Sequence, residues 1–317
     1  MLARMTRRDA VTHLALFATC CATTFWYGVL NAPLLQEPLV HWVQAADWSY
    51  GAYFAGTLMG ILVCHEAGHY ILGRHHGVEV SLPYFIPLPP QVSLGTLGAV
   101  IKMDRPISDR NALFDVGASG PLAGLAVAIP LLVVGLTMST VGPQDPDGVI
   151  EGNSILYALL KYAVFGEWLP GNGRDVQLHP MAFAGWVGLL ITMINLLPIG
   201  QLDGGHVARA VMGDAHERLS RRLHVILPLI GAALGGTMFA VALAADRDVG
   251  AALRYASYGA VPWTMWALLL AWMRRQAGEY HPPVGDVPLD ARRRRAAAFV
   301  FVVFLLIATP VPFRPVL

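Results

Sequence analysis

Residues Tyr50 to Leu72 read YGAYFAGTLMGILVCHEAGHYIL, an apolar run of bilayer-spanning length that carries two histidines and a glutamate near its end. In a helix, residues four apart lie one above the other, so His65 and His69 can offer imidazole nitrogens to one metal ion while Glu66 faces a water beside it. A catalytic zinc site needs three protein ligands at about 2.0 to 2.1 Å and one open position. Zinc lowers the pKa of water toward about 7, and a carboxylate beside it can take that proton and pass it to a leaving amine, which are the steps of peptide hydrolysis. A chance match to this five-residue pattern is expected on the order of once in a hundred such chains. Polar side chains at the end of an apolar span are costly unless they have a partner or a purpose.

The rest of the 317 residues fits a membrane setting: 55% are hydrophobic, 14% are charged, and the mean hydropathy is +0.52. A net charge of +1 gives no basic excess for nucleic acid. Cys20, Cys21 and Cys64 lie in apolar runs without the spacing of a disulfide framework or a thiolate zinc site. Apolar runs occur at about Val11–Leu30, Tyr50–Leu72, Ala112–Val141, Pro180–Leu197, Leu223–Ala244, Ala256–Met273 and Ala296–Pro310, which predicts seven spans. The first follows Arg4, Arg7 and Arg8 as a secretory signal would, but it continues through Phe25, Trp26 and Tyr27, so it reads as a retained span.

With the N-terminus inside, 17 of the 22 basic residues fall in inner segments; only Lys161, Arg174, Arg247, Arg254 and Arg314 fall outside. Arg292 to Arg295 then reads as a topology anchor. The expected architecture is an all-α polytopic bundle forming a single membrane domain over residues 1–317, with a catalytic core at about 50–206 and C-terminal helices at about 223–310. Two connections stand out. Gly77 to Arg105 is rich in Pro and Gly, with strand-like stretches at Val78–Leu82 and Leu97–Lys102, and is too apolar for a solvated loop; it predicts a re-entrant, hairpin-like segment beside the site. Gly142 to His179 contains a weakly apolar stretch, Ile155 to Phe165, expected to lie along the outer surface, and is too short for an inserted peptide-binding domain of roughly 90 residues.

Two residues compete to be the third ligand. His75 stands six positions after His69, the offset of a metzincin, but the glycine such a pattern wants is replaced by Leu72. Asp203 lies in NLLPIGQLDGGH, Asn195 to His206, where Pro198 and Gly200 break the helix and Gly204 and Gly205 permit a close backbone approach, so the turn can aim the carboxylate back at a metal. Asp203 is the preferred candidate. Asn195 by itself can equally cap the broken helix.

HEAGH, NLLPIGQLDGGH and the intervening GASGPLAG of Gly117 to Gly124 together resemble the site-2 protease family of intramembrane metalloproteases, over roughly Tyr50 to His206. The resemblance implies His65, His69 and Asp203 as ligands of one zinc ion, Glu66 as catalytic base and Asn195 as the residue that steers the substrate carbonyl or oxyanion. It further implies a membrane-spanning protein substrate, single-pass and already trimmed by another protease, whose unwound strand pairs against the hairpin. Gly117, Gly120 and Gly124 read as helix-packing positions. His206 reads either as a support for the metal ligands or as a residue facing the aqueous side. A metal carrier using the same ligands is the main rival, and Glu66 argues against it, because a carrier needs no general base; a catalytically silent scaffold is the other. The expected location is a prokaryotic inner membrane with the site toward the cytoplasm.

Overall fold

A computed structural model of the chain describes residues 6–31, 48–91, 93–103, 105–146 and 148–317; Arg4, one of the basic residues assigned to the inner side, lies outside them. Each of the seven apolar runs lies within or mostly within a helix: α1 (Arg7–Leu30), α2 (Trp48–His75), α3 (Arg110–Thr137), α5 (Pro180–Asn195), α7 (Ala215–Ala244), α8 (Val249–Ala277) and α9 (Ala291–Ile307). Among the described residues the remaining helices, α4 (Ile155–Phe165) and α6 (Asp203–Met212), are short. Among the described residues, α1, α3 and α7 are long and apolar enough to cross a membrane. Helix α2 has the length, but its own histidines and glutamate dilute its hydropathy, and α5 has only 16 residues.

The chain divides into two compact units. The first comprises Met1–Ile107, Ala118–Thr140 and Gln177–Thr192. In it α1, started by a capping box between Thr6 and Asp9, packs on α2 through small residues. A Cβ on Gly28 would stand 2.8 Å from Gly51 Cα. Strands β1 (Tyr84–Pro87) and β2 (Thr96–Val100) form an antiparallel hairpin with Tyr84 opposite Val100 and Phe85 opposite Ala99. The expected second strand is found, whereas the first is regular only later than expected: Val80 makes an isolated bridge to Met103 and Ser81 N–H donates to the Lys102 carbonyl, but the continuous ladder starts beyond Pro83, which has no N–H to donate. Helix α1 braces the hairpin. Phe17 meets Phe85 at 5.0 Å, and Thr23 donates a 2.6 Å hydrogen bond to the Gly95 carbonyl. Gly95 sits at φ +85°, and a Cβ there would meet the Thr23 backbone at 2.5 Å.

The second unit comprises Ser108–Gly117, Val141–Val176 and Met193–Leu317. Its α7 and α8 pack closely on each other, joined by a short turn ending at the Asp248 N-cap; a Cβ on Gly259 would stand 2.8 Å from Gly235 N. Asp290 caps α9, and Arg293 forks onto Asp115 at 2.8 and 2.6 Å while also pairing with Asp290. One member of the run Arg292–Arg295 thus ties the start of α9 to the first turns of α3. Strand β4 (Val149–Glu151) pairs with β6 (Phe313–Pro315), and β3 (Thr140–Pro143) pairs with β5 (Arg174–Gln177).

Candidate metal centre

On α2, His65, Glu66 and His69 are 4%, 4% and 5% exposed. The helical spacing brings the two Nε2 atoms to 3.1 Å from each other, with ring centroids 4.8 Å apart and the planes at 72°. Two ligands held tetrahedrally at about 2.0 to 2.1 Å stand about 3.3 Å apart, so the pair is close to the separation that one zinc ion imposes. The segment Gly117 to Gly124 makes room for it. A Cβ on Gly120 would run into the His69 ring, a Cβ on Gly124 would press on His65 at 3.3 to 3.4 Å, and a Cβ on Gly68 would meet Ser119 O at 2.5 Å. The small residues of α3 thus let its backbone lie directly against the imidazoles. His75 behaves differently: it is exposed at the end of α2, with its ring against His76.

In the second unit the NLLPIGQLDGGH segment breaks as its proline and glycines dictate. Helix α5 stops at Asn195, Gly200 takes φ +61°, and Leu202 in extended conformation opens α6 with Asp203 as its first residue. Asp203 is partly buried there, and a carboxylate in the first turn is favoured by the helix dipole. Gly204 and Gly205 fold α6 back on the turn: a Cβ on Gly204 would collide with the Leu196 carbonyl, and one on Gly205 would come 2.8 Å from Ile199 O. The two buried imidazoles of α2 are a nitrogen donor pair whose chemistry suits zinc.

His206 is not simply facing water. Its Nδ1 lies 2.7 Å from Nε2 of His281, whose Nδ1 lies 2.8 Å from the Pro282 carbonyl. Since a carbonyl only accepts, Nδ1 of His281 carries the proton, its Nε2 accepts, and His206 donates from Nδ1, which fixes both tautomers. His281, in the Pro-containing link between α8 and α9, is a residue that no motif or spacing pointed to.

The sequence model of peptidase family M50 matches residues 53–238, more than half of the chain. Among curated proteins, the chain is 30% identical over 262 residues to "Probable zinc metalloprotease EGY1, chloroplastic" of Oryza sativa subsp. japonica, covering 80% of this chain and 39% of that protein. It is 35% identical over 185 residues to the EGY1 protein of Arabidopsis thaliana, covering 56% and 32%. It is 32% identical over 210 residues to "Probable zinc metalloprotease EGY2, chloroplastic" of Oryza sativa subsp. indica, covering 63% and 36%. The chain thus spans between about a third and two fifths of the length of these relatives. No solved structure matches it. The match starts just ahead of HEAGH and runs past NLLPIGQLDGGH, so it covers all three segments that resemble site-2 proteases, and on this ground the chain belongs to peptidase family M50.

Proposed function

We propose that the chain is an intramembrane zinc metalloprotease that hydrolyses a peptide bond within or beside a membrane-spanning segment of another membrane protein. The observation that carries this reading is the pair of buried imidazoles 3.1 Å apart on one helix with Glu66 next to the first. Family membership and the names of the relatives support it.

His65, His69 and Asp203 are the proposed ligands of one zinc ion. When bound, zinc supplies Lewis acidity, which makes a water acidic and polarises a carbonyl. Glu66 takes a proton from the attacking water as its oxygen bonds to the scissile carbonyl carbon, then delivers it to the amide nitrogen as the C–N bond breaks. Asn195, at the end of α5, is proposed to steer the substrate carbonyl or oxyanion through its side-chain amide. The hairpin is proposed to be re-entrant and to offer a strand edge to an unwound substrate, which has to leave its helix because helical peptide bonds are shielded.

The finer proposal is a single polytopic domain of seven spans acting on a single-pass substrate. The 17 basic residues assigned to one side support a cytoplasmic site, and a prokaryotic inner membrane is the proposed location; the plant relatives are named as chloroplastic. The test is cleavage of a single-span protein co-reconstituted with the chain, before and after chelation. Cleavage should stop when zinc is stripped and return with zinc but not with magnesium. Cleavage that survives complete zinc removal would rule the proposal out.

A further inference from the structure

Helix α4 is amphipathic in the opposite sense from a helix that faces water. Its inner face carries Tyr157 and Lys161, both 0% exposed, whereas Ile155, Leu159 and Tyr162, at helical spacing along the outer face, are 56%, 49% and 43% exposed. Just beyond, Trp168 is 60% exposed and stacks on Tyr162, with ring centroids 4.6 Å apart. The lysine is held inside by an ionic cluster. Its Nζ stands 3.5 Å from Glu151 Oε1, 3.6 Å from Asp175 Oδ1 and 4.7 Å from the centre of the Tyr157 ring, and Tyr157 donates a 2.8 Å hydrogen bond to Glu151. Burial pushes the Glu151 carboxyl up from its ordinary value, the mark of a dry surrounding.

In water both halves of this arrangement are unfavourable. Burying an ammonium between carboxylates costs several kcal/mol per ion before pairing offsets it, and the outward residues leave apolar area wet. Half a turn of rotation would solvate Lys161 and bury the apolar stripe. The observed orientation is the favoured one where the outside is less polar than water. A helix of 11 residues is about 16 Å long, too short to cross a core of about 30 Å, so it lies along the surface. An exposed Tyr and Trp pair belongs at the level of the headgroups. The surface also adjoins a second apolar one: α4 packs on α9, which exposes Phe299, Phe301, Val302 and Leu305. The β4–β6 pairing ties the segment before α4 to the chain beyond the C-terminal end of α9, the end remote from Arg292–Arg295.

We propose that Ile155, Leu159, Tyr162 and Trp168 form a docking face for a phospholipid bilayer, seated at the headgroup–acyl boundary of the leaflet at the C-terminal end of α9, with the Glu151–Lys161–Asp175 cluster as its buried ionic support. This rests on the chain being embedded in a membrane.

The test uses the full chain in phosphatidylcholine vesicles whose acyl chains are brominated either near the headgroup or near the terminal methyl. The emission of Trp168 is read as wild type minus Trp168→Phe. It should be blue-shifted and fall about twofold with the shallow bromines, less with the deep ones, at every protein-to-lipid ratio. A bimane on Leu159→Cys, read against the unsubstituted chain, should report the same depth; Leu159 is half-exposed, so the core stays intact. Emission unaffected by either lipid and quenched by aqueous iodide overturns the proposal. So does emission that responds to protein density but not to bromine, which would mean that a second copy covers the face. Chain that floats with the vesicles while Trp168 stays unquenched sinks this proposal alone; chain that does not float sinks the membrane reading as well.

Discussion

Gly120 lies against the imidazole of His69 so closely that a β-carbon in its place would run into Nε2, Cδ2 and Cε1 of the ring. The absence of a side chain at 120 therefore fixes where His69 can point. Gly120→Ala should displace that ring and weaken zinc binding about 10- to 100-fold, the range found when the support of a metal ligand is disturbed. Zinc retained against a chelator of graded strength reads this directly. Gly60→Ala, on the same helix as His69 but with open space around its Cβ position, should bind zinc like the wild type.

Lys161 answers two buried carboxylates at once. Lys161→Met keeps most of the volume but leaves Glu151 and Asp175 without a counter-charge, and it should cost about 3–5 kcal/mol of stability. Combining it with Glu151→Gln and Asp175→Asn should recover most of that loss, because no uncompensated charge remains. Thermal unfolding in detergent separates the variants; a single variant that melts with the wild type contradicts the account.

His281 links stability to pH. Burial is the main cause of its lowered proton affinity. Below its ordinary value of 6.5 the unfolded chain binds a proton that the folded chain resists, so this group's contribution is complete above pH 6.5 and is lost as the pH falls below it. Melting temperature should therefore drop on acidification from pH 7 toward 5, and His281→Asn should flatten that slope while lowering stability at pH 7 through loss of the hydrogen bond to His206. An unchanged slope in His281→Asn would remove His281 as the cause.

The site was most legible where its geometry is local. His65 and His69 share one helix, so a spacing of four sufficed to predict that their nitrogens converge, and the turn before Asp203 follows from Pro198 and Gly200, whose backbone preferences hold in any surroundings. The strand register was legible only in part, since a short apolar stretch leaves its start open by a few residues and Pro83 decides it. Pairings across long separations left no trace in the sequence. Arg293 reaches Asp115 across 178 positions, and a run of four arginines looks the same whether all are solvated or one is a clamp. From the sequence Lys161 reads only as one of the five basic residues on the outer side, because nothing near it in the chain announces two buried carboxylates.

The most direct test of the central claim is to measure zinc content and cleavage of a single-span substrate together, for the wild type, Glu66→Gln and Asp203→Ala. The account predicts that Glu66→Gln keeps its zinc and loses cleavage by several orders of magnitude, because the ligands remain while the base is gone, and that Asp203→Ala loses both. Cleavage by Glu66→Gln, or a wild type that binds no zinc, contradicts it.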